Sequence, residues 1–82
     1  MGSKKKRVVI KASRKLRERL GTNIREYRSA KGWTQEALAN ECKFSRVTIT
    51  QIEAGLHNVT LATIERIALS LGCSEEELFK KR

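Results

Sequence analysis

Residues 35–54, QEALANECKFSRVTITQIEA, read as two short helices joined by a tight turn. Thr34 is placed to cap the first helix, and Leu38, Ala39 and Cys42 fall together on one of its faces. Only Lys43 and Phe44 separate it from Ser45, which can cap the second helix, whose inner face is Ile49 and Ile52. A join this short makes the helices cross steeply, and Ala39 is small where the second helix must pass close by. The outer face of the second helix then carries Arg46, Val47, Thr48, Thr50 and Gln51. A guanidinium, two hydroxyls and an amide on one helix suit the reading of base edges in a DNA major groove.

The flanking sequence supplies further helices. Leu16, Leu20, Ile24 and Tyr27 recur at helical spacing, which predicts a first helix from near Ser13 to about Lys31, with Gly32 as a left-handed cap. Gly21 costs that helix stability and marks either a close approach or a weak point in its first turns. Trp33 is expected to plug the core between the first and second helices. After the helix bearing Arg46 to Gln51, Gly55 caps, residues 56–59 form a loop, and Thr60 starts a fourth helix with Leu61, Ile64, Ile67, Ala68 and Leu71 as its apolar face. Gly72 stops it. Ser74 with Glu77 is a capping box, and the acidic run Glu75, Glu76, Glu77 suits the positive end of a short fifth helix bearing Leu78 and Phe79. The expected fold is all-α and compact, with five helices and a flexible basic arm over residues 1–12. Residues 8–10, Val-Val-Ile, are compatible with a short extended segment or with part of that arm.

These patterns together resemble the helix-turn-helix domain of Cro/CI-type (XRE-family) bacterial and phage regulators. The stretch LGTNIREYRSAKGWTQEALA at residues 20–39 resembles the family's first helix, its Gly-aromatic link and the start of its second helix. TITQIEAGLHNVTLATIERIALSLGCSEEELF at residues 48–79 resembles its recognition helix, following loop, fourth helix and fifth-helix start. Roughly residues 16–79 are covered. Lys43 departs from the pattern, since the family usually has Gly at that turn; a left-handed backbone there would cost Lys about 1 kcal/mol, so the turn is expected to be slightly adjusted or mildly strained.

The resemblance implies a lambda-repressor-like fold and assigns roles by position. Arg46, Val47, Thr48, Thr50 and Gln51 would read bases, with Arg46 suited to guanine through two hydrogen bonds and Val47 to a thymine methyl. Gln35, Lys43, His57 and Asn58 would contact phosphate, Gln35 from the N-terminal end of its helix. Arg28 and Glu53 would form an internal ion pair that fixes the recognition helix, leaving a partly buried charge if broken. Within the family, the HNVTLATIERIALSLG segment and the chain length resemble controller proteins of restriction-modification systems and suit small phage repressors. Controllers dimerise through their fourth and fifth helices, which nominates Leu71, Leu78 and Phe79 for a dimer interface. The implied partners are double-stranded DNA and a second copy of the chain. An antitoxin of the same fold, which would also bind a toxin protein, is the alternative.

Bulk properties agree. Eighty-two residues make one domain with a small core, near the lower end of what folds without staples. Two cysteines and one histidine are too few and too dispersed for a structural zinc site, so Cys42 and Cys73 are expected to be reduced thiols in a cytoplasmic, nucleoid-associated protein with no metal and no cofactor. No stretch approaches the roughly 20 apolar residues of a membrane span, and no signal peptide core is present. The net charge of +9 is concentrated at the N-terminus: residues 1–20 hold nine Lys or Arg against Glu18 alone, residues 21–82 nine against eight acids. Such an excess attracts a polyanion through counterion release, here DNA. The KKKR string at residues 4–7 also has the composition of a nuclear import signal, and Met-Gly-Ser that of a cloning remnant. With no nucleophile-base pair, Gly-rich phosphate loop or metal cluster, the sequence offers nothing for catalysis. RNA binding is disfavoured by the absence of an aromatic platform.

Overall fold

The computed structural model of the chain describes residues 12–82. Of the basic arm expected over residues 1–12, residues 1–11, with the KKKR string and the Val-Val-Ile run, lie outside the described residues. Four α-helices follow one another: α1 (Arg14–Ala30), α2 (Gln35–Cys42), α3 (Arg46–Glu53) and α4 (Leu61–Leu71), with a 3₁₀ turn at Glu76–Phe79. No strand occurs among the described residues.

Each helix starts where a hydroxyl side chain can accept a bond from the backbone N–H three residues on, which satisfies one of the orphan donors of the first turn. Ser13 accepts from Leu16 at 3.1 Å, Thr34 from Ala37 at 3.0 Å, Ser45 from Thr48 at 3.1 Å and Thr60 from Thr63 at 3.2 Å. Leu20, Ile24, Leu38, Ala39, Cys42, Ile49, Ile52, Ile64, Ile67, Ala68, Leu71 and Leu78 are buried together, and Tyr27, Trp33, Phe44, Val59, Cys73 and Phe79 pack around them. Burial pushes the thiols of Cys42 and Cys73 above their ordinary value, which makes both poor nucleophiles.

The two-helix turn is closed by a left-handed residue. Lys43 has φ 64° and ψ 38°, and the N–H of Phe44 returns to the Ala39 carbonyl at 2.9 Å. The left-handed strain expected of a side chain at this position is therefore present. Arg66 of α4 braces the same turn by donating to the Cys42 carbonyl at 3.2 Å, with its guanidinium 4.8 Å from the Phe44 ring centroid.

Three expectations need correction. The fifth helix is a single 3₁₀ turn: Ser74 and Glu77 do form their reciprocal box, at 2.9 and 3.2 Å, but the chain then straightens at Lys80. Buried Asn23 of α1 donates to the carbonyls of Leu78 (2.8 Å) and Lys80 (2.9 Å), taking up acceptors that a continuing helix would have used. Secondly, Leu71 (4% exposed) and Leu78 (0%) belong to the protomer's own core, because Leu78 is drawn against α1 by that Asn23 anchor. They offer no surface to a partner, and of the three nominated interface residues only Phe79 is partly accessible. Thirdly, Leu61 does not share the apolar face of α4. It is 80% exposed, as is Leu69 at 82%.

Candidate nucleic-acid interface

Helix α3 has two faces of different chemistry. Ile49, Ile52 and Glu53 are buried, while Arg46, Val47, Thr50 and Gln51 are exposed and Thr48 is half-buried. Positions 46, 47, 50 and 51 are one helical turn apart in pairs, so they share one side of the helix. The five residues predicted to read bases are thus displayed by α3, with Thr48 nearest its edge.

Besides the burial of Ile49 and Ile52, an ion pair ties α3 to α1. The Glu53 side chain is 1% exposed, and Arg28 meets it as a fork, Nε donating to Oε2 at 2.6 Å and Nη2 to Oε1 at 3.0 Å. Arg28 also donates through Nη1 to the Trp33 carbonyl at 2.8 Å, which ties the α1–α2 link to the same knot. The Glu53 bond holds the guanidinium above its ordinary value, against the opposing effect of burial. Arg25 lies 3.9 Å from Glu53 Oε1 as a more distant cation. Next to this pair, α1 and α3 approach backbone to backbone: a Cβ built on Gly21 would lie 2.4 Å from the Glu53 carbonyl oxygen and 2.6 Å from that of Ile52. The alternatives left open for Gly21 resolve as a close approach.

Gln35 does more than stand at a helix N-terminus. Its Nε2 donates to Glu53 Oε1 at 3.0 Å, and its Oε1 accepts from the Thr50 hydroxyl at 2.8 Å. In the free protein its amide is therefore engaged internally, and a phosphate contact would fall to the helix backbone or require the side chain to exchange partners. Of the other predicted phosphate residues, Lys43 is exposed at the turn, His57 is half-buried and Asn58 is exposed in the α3–α4 loop. Asn58 accepts from the Ala12 N–H at 3.1 Å. Arg17 donates to the Gly55 carbonyl at 2.9 Å and to the Ala12 carbonyl. Together they fasten the start of the described chain to the loop that follows α3.

Arg17, Asn23 and Arg66 are the structural residues that sequence patterns missed. Each works through a backbone carbonyl 5 to 57 residues away along the chain. Carbonyls leave no trace in a side-chain pattern, and an Arg on a helix surface looks like solvated charge.

Comparison with known proteins gives a consistent picture. A family model described as a helix-turn-helix domain matches residues 19–78. A hypothetical transcription factor of Neisseria meningitidis is 38% identical over 63 residues, covering 77% of this chain and 59% of that protein, so the match spans well under two thirds of its length. The crystal structure of the Neisseria factor superposes with a TM-score of 0.77 at 32% identity, covering 89% of this chain and 85% of that one. The control protein C.BamHI of Bacillus amyloliquefaciens is 41% identical over 59 residues, 71% of this chain and 73% of the relative. The structure of the restriction-modification controller protein C.AhdI from Aeromonas hydrophila is similar at a TM-score of 0.74 and 36% identity, covering 77% of this chain and 96% of that one.

Proposed function

Since the chain belongs to the helix-turn-helix family of DNA-binding transcription regulators, which are not enzymes, we propose that it acts as a homodimer of the controller type, each protomer laying α3 in successive major grooves of a two-half-site operator. Half-sites would then lie about 34 Å apart on one face of the duplex. The observation that carries this function is the contrast across α3: an exposed Arg46, Val47, Thr50, Gln51 face on a helix whose other side is locked by a buried ion pair. A rigid support under a polar face is what base readout requires, because specificity depends on placing donors and acceptors to within a fraction of an ångström.

Arg46 is the residue on which sequence preference depends most, since a guanidinium matches both acceptors of guanine. Arg46→Ala should weaken binding to a duplex selected from a random pool by roughly 1 to 3 kcal/mol and relax preference at one position per half-site. Equal weakening on selected and scrambled duplexes would make Arg46 a phosphate contact. A random pool that yields no enriched sequence would defeat the proposed function itself.

Dimerisation is supported by the exposed leucines of α4. Leu61 and Leu69 stand about two turns apart on one helix, and Leu61 borders an apolar groove of about 190 Å³ lined also by Leu16, Val59, Ile64 and Phe79. In a two-fold contact the same patch is used on both copies, so a leucine at each end of the helix can meet its counterpart. Leu69→Lys is expected to leave thermal stability within about 0.5 kcal/mol, as for an exposed site, while shifting the protein to monomer in sedimentation equilibrium at micromolar concentration. Persistence of the dimer in that variant would move the interface off α4, and a monomeric parent protein would remove it.

A further inference from the structure

The exposed face of α3 carries one hydroxyl whose hydrogen-bonding polarity is fixed by chemistry far from it. Glu53, forked to Arg28 at 2.6 and 3.0 Å, is a carboxylate and can only accept. The part of the Gln35 amide lying 3.0 Å from Glu53 Oε1 must therefore be the nitrogen, and the amide oxygen is turned the other way. That oxygen lies 2.8 Å from Thr50 Oγ1 and can only accept, so the Thr50 proton is directed to it. The second protein neighbour of Thr50 Oγ1 is the Arg46 carbonyl, 3.0 Å away, which is also purely an acceptor. A hydroxyl has one proton. With both protein neighbours asking for it, the exposed side chain has only lone pairs left to offer outward.

We propose that Thr50 reads DNA as a hydrogen-bond acceptor, with the chain Arg28, Glu53, Gln35 setting that polarity, so that it selects an exocyclic amino group in the major groove, adenine N6 or cytosine N4. The inference rests on the proposed base-reading role of α3. In the major groove those amino groups are the donors, whereas guanine N7 and O6, adenine N7 and thymine O4 are acceptors that would face a lone pair. Thr48 shows that this is not a general property of the helix. Its Oγ1 lies 2.9 Å from Ser45 Oγ, a hydroxyl pair in which either can donate, so its outward polarity is free to adapt. Arg46 donates only, and Gln51 can do both. Helix α3 thus presents a fixed donor and a fixed acceptor four residues apart, with adaptable groups beside them.

The test uses the full chain and the duplex it enriches from a random pool. Single chemical groups are deleted from that duplex: the adenine N6 amino group (purine in place of adenine), the cytosine N4 amino group (2-pyrimidinone in place of cytosine), and purine N7 (7-deaza bases). Each is measured with the parent protein, Thr50→Val and Thr50→Ser. At one position per half-site, amino-group deletion should weaken binding by the parent and by Thr50→Ser by roughly 3- to 10-fold, the range of a single hydrogen bond. Thr50→Val should be indifferent to that deletion, and N7 deletions should affect parent and Thr50→Val alike. An N7 deletion felt by the parent and not by Thr50→Val would show Thr50 donating and overturn the proposal. Indifference of Thr50→Val and parent alike at every amino group, while Arg46→Ala still relaxes a position, would overturn it and leave the regulator function standing. Gln35→Met removes the amide oxygen at 2.8 Å and leaves the Arg46 carbonyl at 3.0 Å as the remaining inner acceptor, so the parent's amino-group discrimination should fall without vanishing; an unchanged pattern would overturn the part assigned to Gln35.

Discussion

Replacing Arg28 by Met is expected to destabilise the domain by roughly 3 to 5 kcal/mol, because it leaves the Glu53 carboxylate buried without its forked partner. For a domain of this size that is a large share of the total, since folded proteins are held by only about 5 to 15 kcal/mol. Two groups moderate the loss. Gln35 still donates to Glu53, and Arg25, 3.9 Å away and half exposed, can move toward it. Neither replaces a two-bond fork, so the lower end of the range is the floor. The double variant Arg28→Met, Glu53→Leu should regain most of the loss, as buried pairs replaced by apolar residues commonly do, because no charge then remains to be solvated. It should not regain DNA binding. Gln35 would have lost the acceptor that orients it, and α3 the fork that fixes its direction. Urea denaturation at constant m-value, run beside a binding assay, checks both halves. A single-variant loss below about 1 kcal/mol would mean that Glu53 is solvated by water or by Arg25.

The four α-helices were legible because their signals are local. A hydroxyl at each start, Gly32 and Gly72 beyond two of the ends, and the spacing of Ile49 with Ile52 are all contained within a few residues. The ion pair of Arg28 with Glu53 came from resemblance; nothing in the spacing of two residues 25 apart would have paired them. The terminal turn misled for a related reason. A capping box and three acids announce a helix start, but its length was decided by Asn23, 55 residues back, which takes the Leu78 carbonyl. The same anchor buried Leu78 and removed it from the surface expected to dimerise. On α4 the periodicity identified an apolar set without saying which members a neighbour covers: Ile64, Ile67, Ala68 and Leu71 face the core, whereas Leu61 is left outside. A hydrophobic pattern fixes the direction of a face, and its width depends on packing partners that are distant in sequence.

Gly21 is the position where local preference and tertiary packing disagree most sharply, and Gly21→Ala should show which one prevails. Helix propensity alone favours Ala over Gly by about 1 kcal/mol in the interior of a helix such as α1. The new methyl group, however, would meet the carbonyl oxygens of Glu53 and Ile52 at 2.4 and 2.6 Å, distances at which something must move. These are backbone atoms, so no rotamer change can relieve the contact, and the cost lies at the upper end of the 1 to 3 kcal/mol typical of overpacking. The net expectation is a loss of about 2 kcal/mol. Relief by separating α1 from α3 would stretch the Arg28–Glu53 fork, which spans the same two helices, and DNA affinity should fall further than stability alone explains. Thr22→Ala is the control. Thr22 is exposed on the same helix, so that change should give a gain of a few tenths of a kcal/mol and leave binding untouched. If Gly21→Ala were as benign as Thr22→Ala, α1 and α3 would have room to spare, and the direction of α3 would rest on the ion pair and the burial of Ile49 and Ile52.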